Sequence, residues 1–399
     1  METDKLYYKN QYEVEFEAVV RKSEQDNAGH YVVLNQTAFY PTGGGQPYDT
    51  GTLNNIRVFN VEEVEGEIRH YVEMPIELNV KCIGEVDWNR RFDHMQQHTG
   101  QHILSAAFDN ELGLKTVSFH LGKEICSIDL ATDHVTEEEL LKIEEIANQV
   151  ILENYPIESK WVTEEELRNY SLRKSVSVSE NIRLVIIPDF DYNGCGGTHP
   201  DSTGQVSTIK LLHSEKQKQL VRVFFISGKR VRKQLQEKHQ VIQRLTALLS
   251  VPQEQMEEAT SRILLQGKEL EKTISDLKTK LTEYEANQLI EQGEQNNSNI
   301  MVKHIYQNRP ISELQNLARM ISQKTSNIVV LFINETDNKL QLVCARGNDL
   351  EMSMNQLVKQ ILPIINGRGG GSDTIAQGGG EKLIPTERLM EEMVSEILS

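Results

Sequence analysis

The sequence predicts a multidomain α+β protein with a small N-terminal β-barrel, an α+β core, a helical coiled-coil-like arm and a C-terminal α/β domain. Three observations predict this class. The first part of the chain reads as short strands, the middle combines strands with a histidine-rich helix, and long helical periodicity precedes a last α/β segment. With 399 residues, the chain is long enough for several hydrophobic cores. We therefore predict domains at residues 1–88, 89–228, 229–299 and 300–399.

Residues 1–88 are predicted to form the barrel. Segments such as YEVEFEAVV and IRHYVEM alternate apolar and polar residues, and Gly, Asn and Pro separate them. Within this part, YPTGGGQPYDTGTL (residues 40–53) contains Gly43, Gly44 and Gly45 in succession. Three glycines allow the backbone to lie close against another surface, or they form an ordinary hairpin turn. The sequence leaves both interpretations open.

The second domain is predicted to contain three helices and several strands. NRRFDHMQQHTGQHILSAAFDN and EEELLKIEEIANQVILEN are helical segments, and TEEELRNY opens a third helix, with Thr163 and Glu166 at the spacing of a capping box. LVIIPDFD (residues 184–191) is a short buried strand that leads into GCGGTHP at residues 194–200. STIKLLHSEKQKQLVRVFFISG supplies the closing strands.

The third domain is predicted to be a helical arm. Apolar residues form one stripe before Pro252 and a second from Leu270 to Tyr284, and the second alternates steps of four and three, as a coiled-coil seam does. Two helices folded back around Pro252 would form an antiparallel arm, whereas a helix packed on its own domain is the alternative. EQGEQNNSN (residues 291–299) is predicted to be a polar linker. The last hundred residues read as an α/β unit.

The charge of the chain is uneven. The net charge of −17 argues against indiscriminate binding to nucleic acid. Between Lys216 and Arg244, however, nine Lys and Arg residues accompany a single acidic one. Such a patch could bind a phosphate backbone or form a solvated helix face. The predicted nucleic-acid-binding residues are Lys229, Arg230, Arg232, Lys233 and, in the glycine-rich C-terminal segment, Arg368.

Cysteine usage and hydropathy bear on the compartment. The four cysteines lie far apart and show no disulfide framework. The N-terminus has no basic region followed by an apolar run, and no stretch approaches the roughly 18 apolar residues of a membrane span. We therefore expect a soluble cytoplasmic protein.

Two pairs of side chains predict a metal site in the second domain. His98 and His102 are four residues apart on a predicted helix, so that they share one face. Cys195 and His199 have the same separation in GCGGTHP, whose flexible backbone can turn both side chains toward an ion. Three imidazoles and one thiolate suit zinc, and we predict one Zn²⁺ per chain. His94, four residues before His98, is the alternative ligand.

Three motifs, in this order, resemble one family. FYPTGGGQP, RRFDHMQQHTGQHIL and GCGGTHP resemble the editing domain of alanyl-tRNA synthetase and, still more closely, the freestanding alanyl-tRNA editing proteins (the AlaX-like group), over about residues 1–225. The related module of threonyl-tRNA synthetase fits the GGGQ segment less well. GRGGGSDTIAQGGG resembles the glycine motif of the DHH-associated C-terminal domain, which ends full-length alanyl-tRNA synthetases and the longer editing proteins. The resemblance thus covers almost the whole chain.

The resemblance implies a trans-editing hydrolase with a zinc-containing editing core at residues 89–228. Such an enzyme removes serine, and secondarily glycine, from mischarged alanine tRNA, so that aminoacylated tRNA(Ala) is the expected partner. The family assigns the four predicted ligands to the metal and places Gln46 and Thr42 near the amino acid or the terminal adenosine. The sequence departs from the family at Tyr48, where glycine is frequent. The arm or the C-terminal domain makes a homodimer a further expectation.

Other functions fit parts of the sequence. A DHH-type phosphoesterase needs an Asp-His-His cluster, and no DHH tripeptide occurs in the chain. A non-catalytic tRNA-binding protein with structural zinc is the main alternative, because the sequence does not distinguish a closed four-ligand site from one with an open position. We expect no aminoacylation domain, since the editing motifs occupy the first two hundred residues.

Overall fold

The computed structural model describes residues 3–174, 182–296 and 298–398. The chain divides into two compact units, residues 1–245 and 246–399. The predicted four-domain division is finer than this and stays a prediction. No described helix combines the length and the apolar character that a bilayer crossing requires.

The first 88 residues are built from short strands. They are β1 (Asp4–Lys5), β2 (Glu15–Asp26), β3 (Gly29–Leu34), β4 (Gln36–Thr37), β5 (Gly51–Leu53), β6 (Ile56–Val64), β7 (Glu67–Val72) and β8 (Lys81–Val86). Six strands close into an antiparallel barrel in the order β2-β3-β7-β6-β5-β8. Alternate side chains point into its core, as in β8, where Cys82, Gly84 and Val86 are buried between exposed neighbours. This is the small barrel that the alternating pattern predicts.

The rest of the first unit is an α+β core. Its elements are α1 (Trp88–Leu112), β9 (Thr116–Leu121), β10 (Cys126–Leu130), α2 (Glu137–Glu153), β11 (Glu158–Val162), α3 (Glu164–Leu167), β12 (Ile182–Ile187), β13 (Asp191–Gly194), β14 (Ile209–Gln217) and β15 (Leu220–Ser227). The strands form one sheet in the order β14-β15-β10-β9 and another in the order β11-β12-β13. The helices and strands predicted for this region are present, except that the predicted strand at residues 184–191 is interrupted: β12 ends at Ile187, residues 188–190 form a turn, and β13 begins at Asp191.

Helix α1 is buried along most of its length. It begins after Asp87, whose carboxylate accepts a hydrogen bond from the backbone N–H of Arg90, and ends at Gly113 in the left-handed conformation. Every residue from His94 to Phe108 is buried. Its apolar side chains and those of α2 pack on the sheet that contains β10 and β15. This packing fixes the orientation of the polar face of α1.

The predicted capping box at Thr163 and Glu166 also forms. In α3, the Thr163 hydroxyl accepts from the Glu166 N–H at 3.2 Å, and the Glu166 carboxylate accepts from the Thr163 N–H at 2.8 Å. The same reciprocal pair starts α2 at Thr136 and Glu139. Each capping box satisfies two backbone donors that a helix start would leave unpaired.

Two long helices occupy the predicted arm. They are α4 (Lys229–Leu249) and α5 (Met256–Glu291). The predicted seam of α5 is exposed, with Leu270 and Leu281 retaining 63% and 69% of their accessible surface. The last turns of α5 instead bury Ala286 and Leu289 within the second unit. Pairing of the exposed seam as a coiled coil stays a prediction.

The second unit contains a six-stranded mixed sheet flanked by helices. Its elements are β16 (Glu294–Asn296), β17 (Asn299–Gln307), α6 (Ile311–Lys324), β18 (Ile328–Thr336), β19 (Lys339–Arg346), α7 (Met354–Ile361), β20 (Arg368–Gly371), β21 (Ile375–Glu381) and α8 (Thr386–Leu398). The strand order is β16-β17-β18-β19-β21-β20, and within this sheet only the described β17–β18 pair is parallel. The glycine motif forms the β20–β21 hairpin at one edge.

The predicted linker at residues 291–299 is wrong in part. Residues 294–296 form β16, which pairs antiparallel with the start of β17. The polar side chains of β16 are exposed at the sheet edge, so the segment resembles a linker in composition although its backbone is a strand.

A buried ion pair joins the barrel to α1. Arg91 and Asp49 have no exposed side-chain surface, and the Arg91 Nε donates to Asp49 Oδ2 at 2.9 Å. Arg91 also donates to the carbonyl oxygens of Gln11 and Ala38, while the Tyr40 N–H donates to the same carboxylate oxygen at 2.8 Å. The guanidinium therefore binds three separate parts of the N-terminal region at once.

Replacing Arg91 with Met should destabilise the first unit strongly. The variant leaves the buried Asp49 carboxylate without its partner, which costs about 3–5 kcal/mol of unfolding free energy. Both tryptophans, Trp88 and Trp161, lie in the first unit, so urea unfolding followed by tryptophan fluorescence reports on this unit alone.

Arg57→Met is the matched control. Arg57 forms an exposed ion pair with Glu73 on the barrel, with 66% and 56% of the two side chains accessible. This change should alter stability by about 0.5 kcal/mol or less. Equal unfolding midpoints for the two variants would contradict the role given to the buried pair.

Candidate metal centre

Four side chains that are remote in sequence converge inside the first unit. His98 and His102 come from α1, whereas Cys195 and His199 come from the loop after β13. Their ligand atoms all lie within 4.8 Å of one another, and the group could hold a metal ion. The three histidines are buried and Cys195 is partly exposed. The four predicted ligands are thus brought together.

The ring of His98 is fixed by the barrel loop. His98 Nδ1 lies 3.0 Å from Gln46 Oε1, and the same oxygen accepts a hydrogen bond from the Thr198 N–H at 3.0 Å. Gln46 Nε2 donates to the Thr198 hydroxyl at 2.8 Å. With Nδ1–H donating to the amide, His98 Nε2 is left free to bind a metal, and it lies 3.4 Å from Cys195 Sγ.

The ring of His102 is fixed by a carboxylate. His102 Nδ1 lies 3.1 Å from Asp191 Oδ2, and Asp191 in turn accepts from Arg173 Nε at 2.8 Å. Burial would raise the pKa of Asp191, but the hydrogen bond from His102 and the charge of Arg173 hold it below its ordinary value. A carboxylate behind a ligating histidine orients the ring and increases its basicity.

The loop ligands have their own supports. His199 Nδ1 lies 2.9 Å from the Thr99 hydroxyl, and its Nε2 lies 3.4 Å from Cys195 Sγ. Arg183 donates to the carbonyl oxygens of Cys195 and Gly197 at 2.9 and 2.8 Å. The loop that presents Cys195 is therefore held by a largely buried guanidinium beneath it.

The electrostatics of the group favour a thiolate. Burial raises the pKa of Cys195, but the three neighbouring imidazoles outweigh it and hold the pKa well below the usual range of a thiol. Burial likewise lowers the pKa of His102, but the Cys195 charge and the Asp191 hydrogen bond raise it to about 9. Burial lowers the pKa of His199 to about 3. A thiolate among imidazoles is the form in which cysteine binds metals.

Two glycine loops meet at the site. Gly44 and Gly45 have φ values of 54° and 78°, and Gly43 and Gln46 exchange backbone hydrogen bonds, as in a tight turn. A Cβ at Gly44 would lie 3.6 Å from the backbone nitrogen of Gly197. Both interpretations of the glycine run therefore hold: it forms a turn, and the turn lies close against another segment.

Two separations within the donor set match those of a tetrahedral zinc site. Ideal Zn–S and Zn–N bonds at a tetrahedral angle place S and N about 3.6 Å apart, close to the 3.4 Å separations at Cys195. Each histidine presents Nε2 to the centre and has its Nδ1 at a hydrogen-bonding group.

Other predicted residues lie outside the donor group. His94, the alternative ligand, is one turn from His98 and is not a member of the donor group. The prediction of His98 and His102 as the helix ligands therefore agrees with the geometry. Thr42 is exposed, and its backbone N–H donates to Val61. Arg368 is exposed at the start of β20 in the second unit. The predicted substrate role of Gln46 is not addressed by these contacts and stays a prediction, as does that of Thr42.

The basic residues at the start of α4 differ in their surroundings. Arg230 forms an ion pair with Asp93, whereas Arg232 and Lys233 are exposed. Lys229 Nζ donates to Asn89 Oδ1 at 3.1 Å. Their predicted binding of nucleic acid stays a prediction.

Sequence reasoning missed the groups that support the ligands. Asp191, Thr99 and Arg183 contact ligand side chains or their backbone, although each looks like an ordinary polar residue in the sequence. Asp191 ends the segment LVIIPDFD just before the cysteine loop. That position is the one signal that could have pointed to it.

Comparison with known families gives three matches. Residues 182–236 match the threonyl and alanyl tRNA synthetase second additional domain. Residues 1–90 match the class II (A) tRNA synthetases, and residues 297–399 match the DHHA1 domain. The second additional domain match includes Cys195 and His199, two of the four donors.

Similar proteins include several alanine–tRNA ligases. The enzyme of Thermococcus kodakarensis is 33% identical over 98% of this chain and 43% of its own length. The enzyme of Pyrococcus abyssi is 32% identical over the same shares, and that of Methanococcus maripaludis strain C5 is 29% identical over 100% of this chain and 44% of its own length. The chain spans less than half the length of these relatives.

A solved structure is also similar to part of the chain. The crystal structure of the C-Ala domain from Aquifex aeolicus alanyl-tRNA synthetase covers 27% of this chain and 97% of its own, with 24% identity and a TM-score of 0.25. The chain is thus related to alanyl-tRNA synthetases over 98% of its length, with residues 182–236 similar to their second additional domain and residues 297–399 to the DHHA1 domain.

Proposed function

We propose that the protein is an aminoacyl-tRNA deacylase that hydrolyses mischarged alanine tRNA in trans, chiefly seryl-tRNA(Ala) and secondarily glycyl-tRNA(Ala). The observation that supports this most is the convergence of His98, His102, Cys195 and His199 in a chain related to alanine–tRNA ligases. We further propose that the metal is zinc, with one ion per chain.

The chemistry of amino acid selection explains the need for such an enzyme. A pocket built for the alanine methyl group rejects the smaller glycine only weakly, and a hydrophobic pocket does not strongly exclude an added hydroxyl. A second site that hydrogen-bonds the serine hydroxyl and hydrolyses the ester provides the missing discrimination.

The chain's own residues would hold the site for this reaction. A bound zinc ion would supply a Lewis acid beside the ester. Gln46 would hold His98 and the Thr198 backbone, and Asp191 would hold His102, so that the donors keep one arrangement while substrate binds. Cys195 is the one partly exposed donor, and we propose that the ester approaches past it.

A non-catalytic tRNA-binding protein with structural zinc is the second candidate. One observation favours it: four protein donors are present, and closed four-ligand sites are usually structural. In this case the metal would stabilise the contact between α1 and the loop after β13, and no coordination position would be open to substrate.

Contact with tRNA and self-association belong to the same proposal. Arg232 and Lys233 would face the nucleic acid, with Lys229 and Arg230 beside them and Arg368 as a further contact. Two copies would pair through the exposed seam of α5, whose apolar side chains need a partner surface.

The purified protein should release serine from seryl-tRNA(Ala) and leave alanyl-tRNA(Ala) intact. A chelator or Cys195→Ala should reduce the rate more than about 100-fold, because the metal loses a ligand or is removed. The rate is measured as loss of radiolabelled aminoacyl-tRNA, with tryptophan fluorescence as the test of folding.

Cys82→Ala is the matched control, since it removes a thiol that is buried in the barrel and lies outside the donor group. It should deacylate like the unaltered protein. No serine release by unaltered, zinc-loaded protein would contradict the proposal. Unfolding of Cys195→Ala together with metal loss would favour the structural-zinc candidate.

Asp191→Asn should weaken zinc binding about 10–100-fold, because the amide is a poorer partner for the His102 Nδ1–H than a carboxylate. Competition with a chromophoric chelator measures the affinity without any activity assay. Asp189→Asn changes the same side chain at an exposed position two residues away and should leave the affinity within about twofold. Equal affinities of the two variants would show that Asp191 does not act on the metal.

A further inference from the structure

One histidine of α1 lines a cleft in the first unit and takes no part in the donor group. The cleft has a volume of about 1180 Å³, and His94 lies in its wall. His94 precedes His98 by four residues, so that the two side chains share one face of α1, with Cβ atoms about 5–6 Å apart. His94 therefore lies one helical turn from the metal centre, at a surface that water can reach.

The two nitrogens of the His94 ring have different surroundings. The residue is 6% exposed, and its Nδ1 is buried and makes no hydrogen bond with any described group. Because Nδ1 is buried, Nε2 is the nitrogen that is available to a molecule in the cleft. A neutral imidazole carries a proton on one nitrogen and accepts one at the other, so this ring can take up a proton from the cleft.

Charged groups from three segments act on this ring. Burial is the main cause that lowers the pKa of His94, to about 4, and the charge of Arg90 acts in the same direction. Asp49 and Asp93 oppose this shift, whereas Arg230 adds to it. Arg90 and Asp93 belong to α1, Asp49 follows the glycine turn, and Arg230 comes from α4. The ring is therefore neutral near pH 7.

Asp49 also has a buried atom without a partner. Its Oδ2 accepts hydrogen bonds from Arg91 Nε at 2.9 Å and from the Tyr40 N–H at 2.8 Å. Its Oδ1 is buried and has no partner among the described residues. Buried polar atoms are seldom left unpaired. An unpaired carboxylate oxygen within electrostatic range of the unpaired His94 Nδ1 therefore needs an explanation.

We propose that His94 is a catalytic residue of the deacylase and acts as its general base. Nε2 accepts a proton from the water that attacks the ester, while Nδ1–H donates to Asp49 Oδ1 in the substrate complex. A carboxylate at the inner nitrogen fixes the tautomer and the orientation of a catalytic imidazole. Such hydrogen bonds often tighten only when substrate is bound, which agrees with two unpaired atoms in the free protein. This role rests on the proposed function, because it requires an ester to be hydrolysed at this site.

The step needs no further reactant. The water oxygen forms a bond to the carbonyl carbon of the ester, and one water proton moves to His94 Nε2. When the bond between this carbon and the ribose oxygen breaks, the proton moves from Nε2 to the ribose oxygen. The products are the free amino acid and the uncharged tRNA, and His94 returns to its neutral form.

His94→Gln should lower the rate of serine release from seryl-tRNA(Ala) at pH 7 by about 100-fold or more, because glutamine cannot accept the proton. Its rate should also rise more steeply with pH between 6 and 8.5 than that of the unaltered protein. His94 is already neutral throughout this range, whereas the variant depends on hydroxide in place of the missing base. A merely structural role would lower the rate without this change in pH dependence.

Two controls separate proton transfer from metal binding and from general effects of a lost histidine. His94→Gln should bind zinc within about twofold of the unaltered protein in competition with a chromophoric chelator, because His94 is not a donor. His213→Gln removes an exposed histidine of β14 that lies outside the cleft, and it should release serine at a rate within about twofold of normal. Tryptophan fluorescence checks that both variants are folded.

The tautomer of His94 gives a readout that does not depend on activity. Nitrogen NMR of protein labelled at histidine should show a neutral ring at pH 7 with the proton on Nδ1, because the Asp49 carboxylate attracts it to that side. The signals are assigned by their loss in His94→Gln. A proton on Nε2 would leave that nitrogen unable to accept another, and would overturn the assignment.

Failure of this inference differs from failure of the proposed function. If unaltered, zinc-loaded protein releases no serine, the proposed function fails and the catalytic role of His94 falls with it. If serine is released and His94→Gln retains the normal rate, or loses zinc in proportion to its rate, the role of His94 is wrong and the proposed function stands.

Discussion

At the metal centre, the backbone of Gly197 lies directly against the imidazole of His98. A Cβ at this position would come within 2.3 Å of the ring and 3.0 Å of Gln46 Oε1. Only glycine allows the loop after β13 to come so near α1, and this approach lets the Gln46 amide reach both His98 and Thr198. The barrel, the helix and the loop are thus joined at one point, and the arrangement of the donors depends on it.

The rigidity of this point comes from polar groups that are buried and paired. From Gln96 to His102, α1 is polar at six of its seven positions, and all six side chains are buried and hydrogen-bonded. Hydrogen bonds offset the free-energy cost of burying these polar side chains. The Gln97 amide, for example, donates to the Ser227 carbonyl and accepts from the Ser227 N–H, both at 2.8 Å. In a low-dielectric interior such satisfied networks specify one arrangement, and breaking one member leaves the other uncompensated. The buried ion pair of Arg91 and Asp49 is a polar contact of the same kind, and it joins α1 to the barrel.

Structural features that a local sequence pattern determines could be predicted from the sequence. The spacing of His98 and His102, the glycine loop around Cys195, and the Thr163–Glu166 capping box each involve residues close in the chain, and each forms as predicted. Features that depend on a partner remote in the sequence could not be predicted in this way. Asp191 looks ordinary until α1 brings His102 to it, and β16 has the composition of a linker because its only reason to be a strand is the pairing with β17. Such contacts depend on tertiary packing, which no local pattern encodes.

The exposure of the four donors decides how the site can be reached. The histidines are at most 3% exposed and each has its Nδ1 at a hydrogen-bonding group, so their movement would break a buried contact as well as a metal bond. Cys195 is partly exposed, and its Sγ accepts from the Gly197 N–H at 3.4 Å and lies 3.4 Å from the Nε2 atoms of His98 and His199. Of the four donor residues it is therefore the one with the most contact with solvent. A hydrolytic site would need such an approach for its ester, whereas the closed zinc sites that stabilise folds need none.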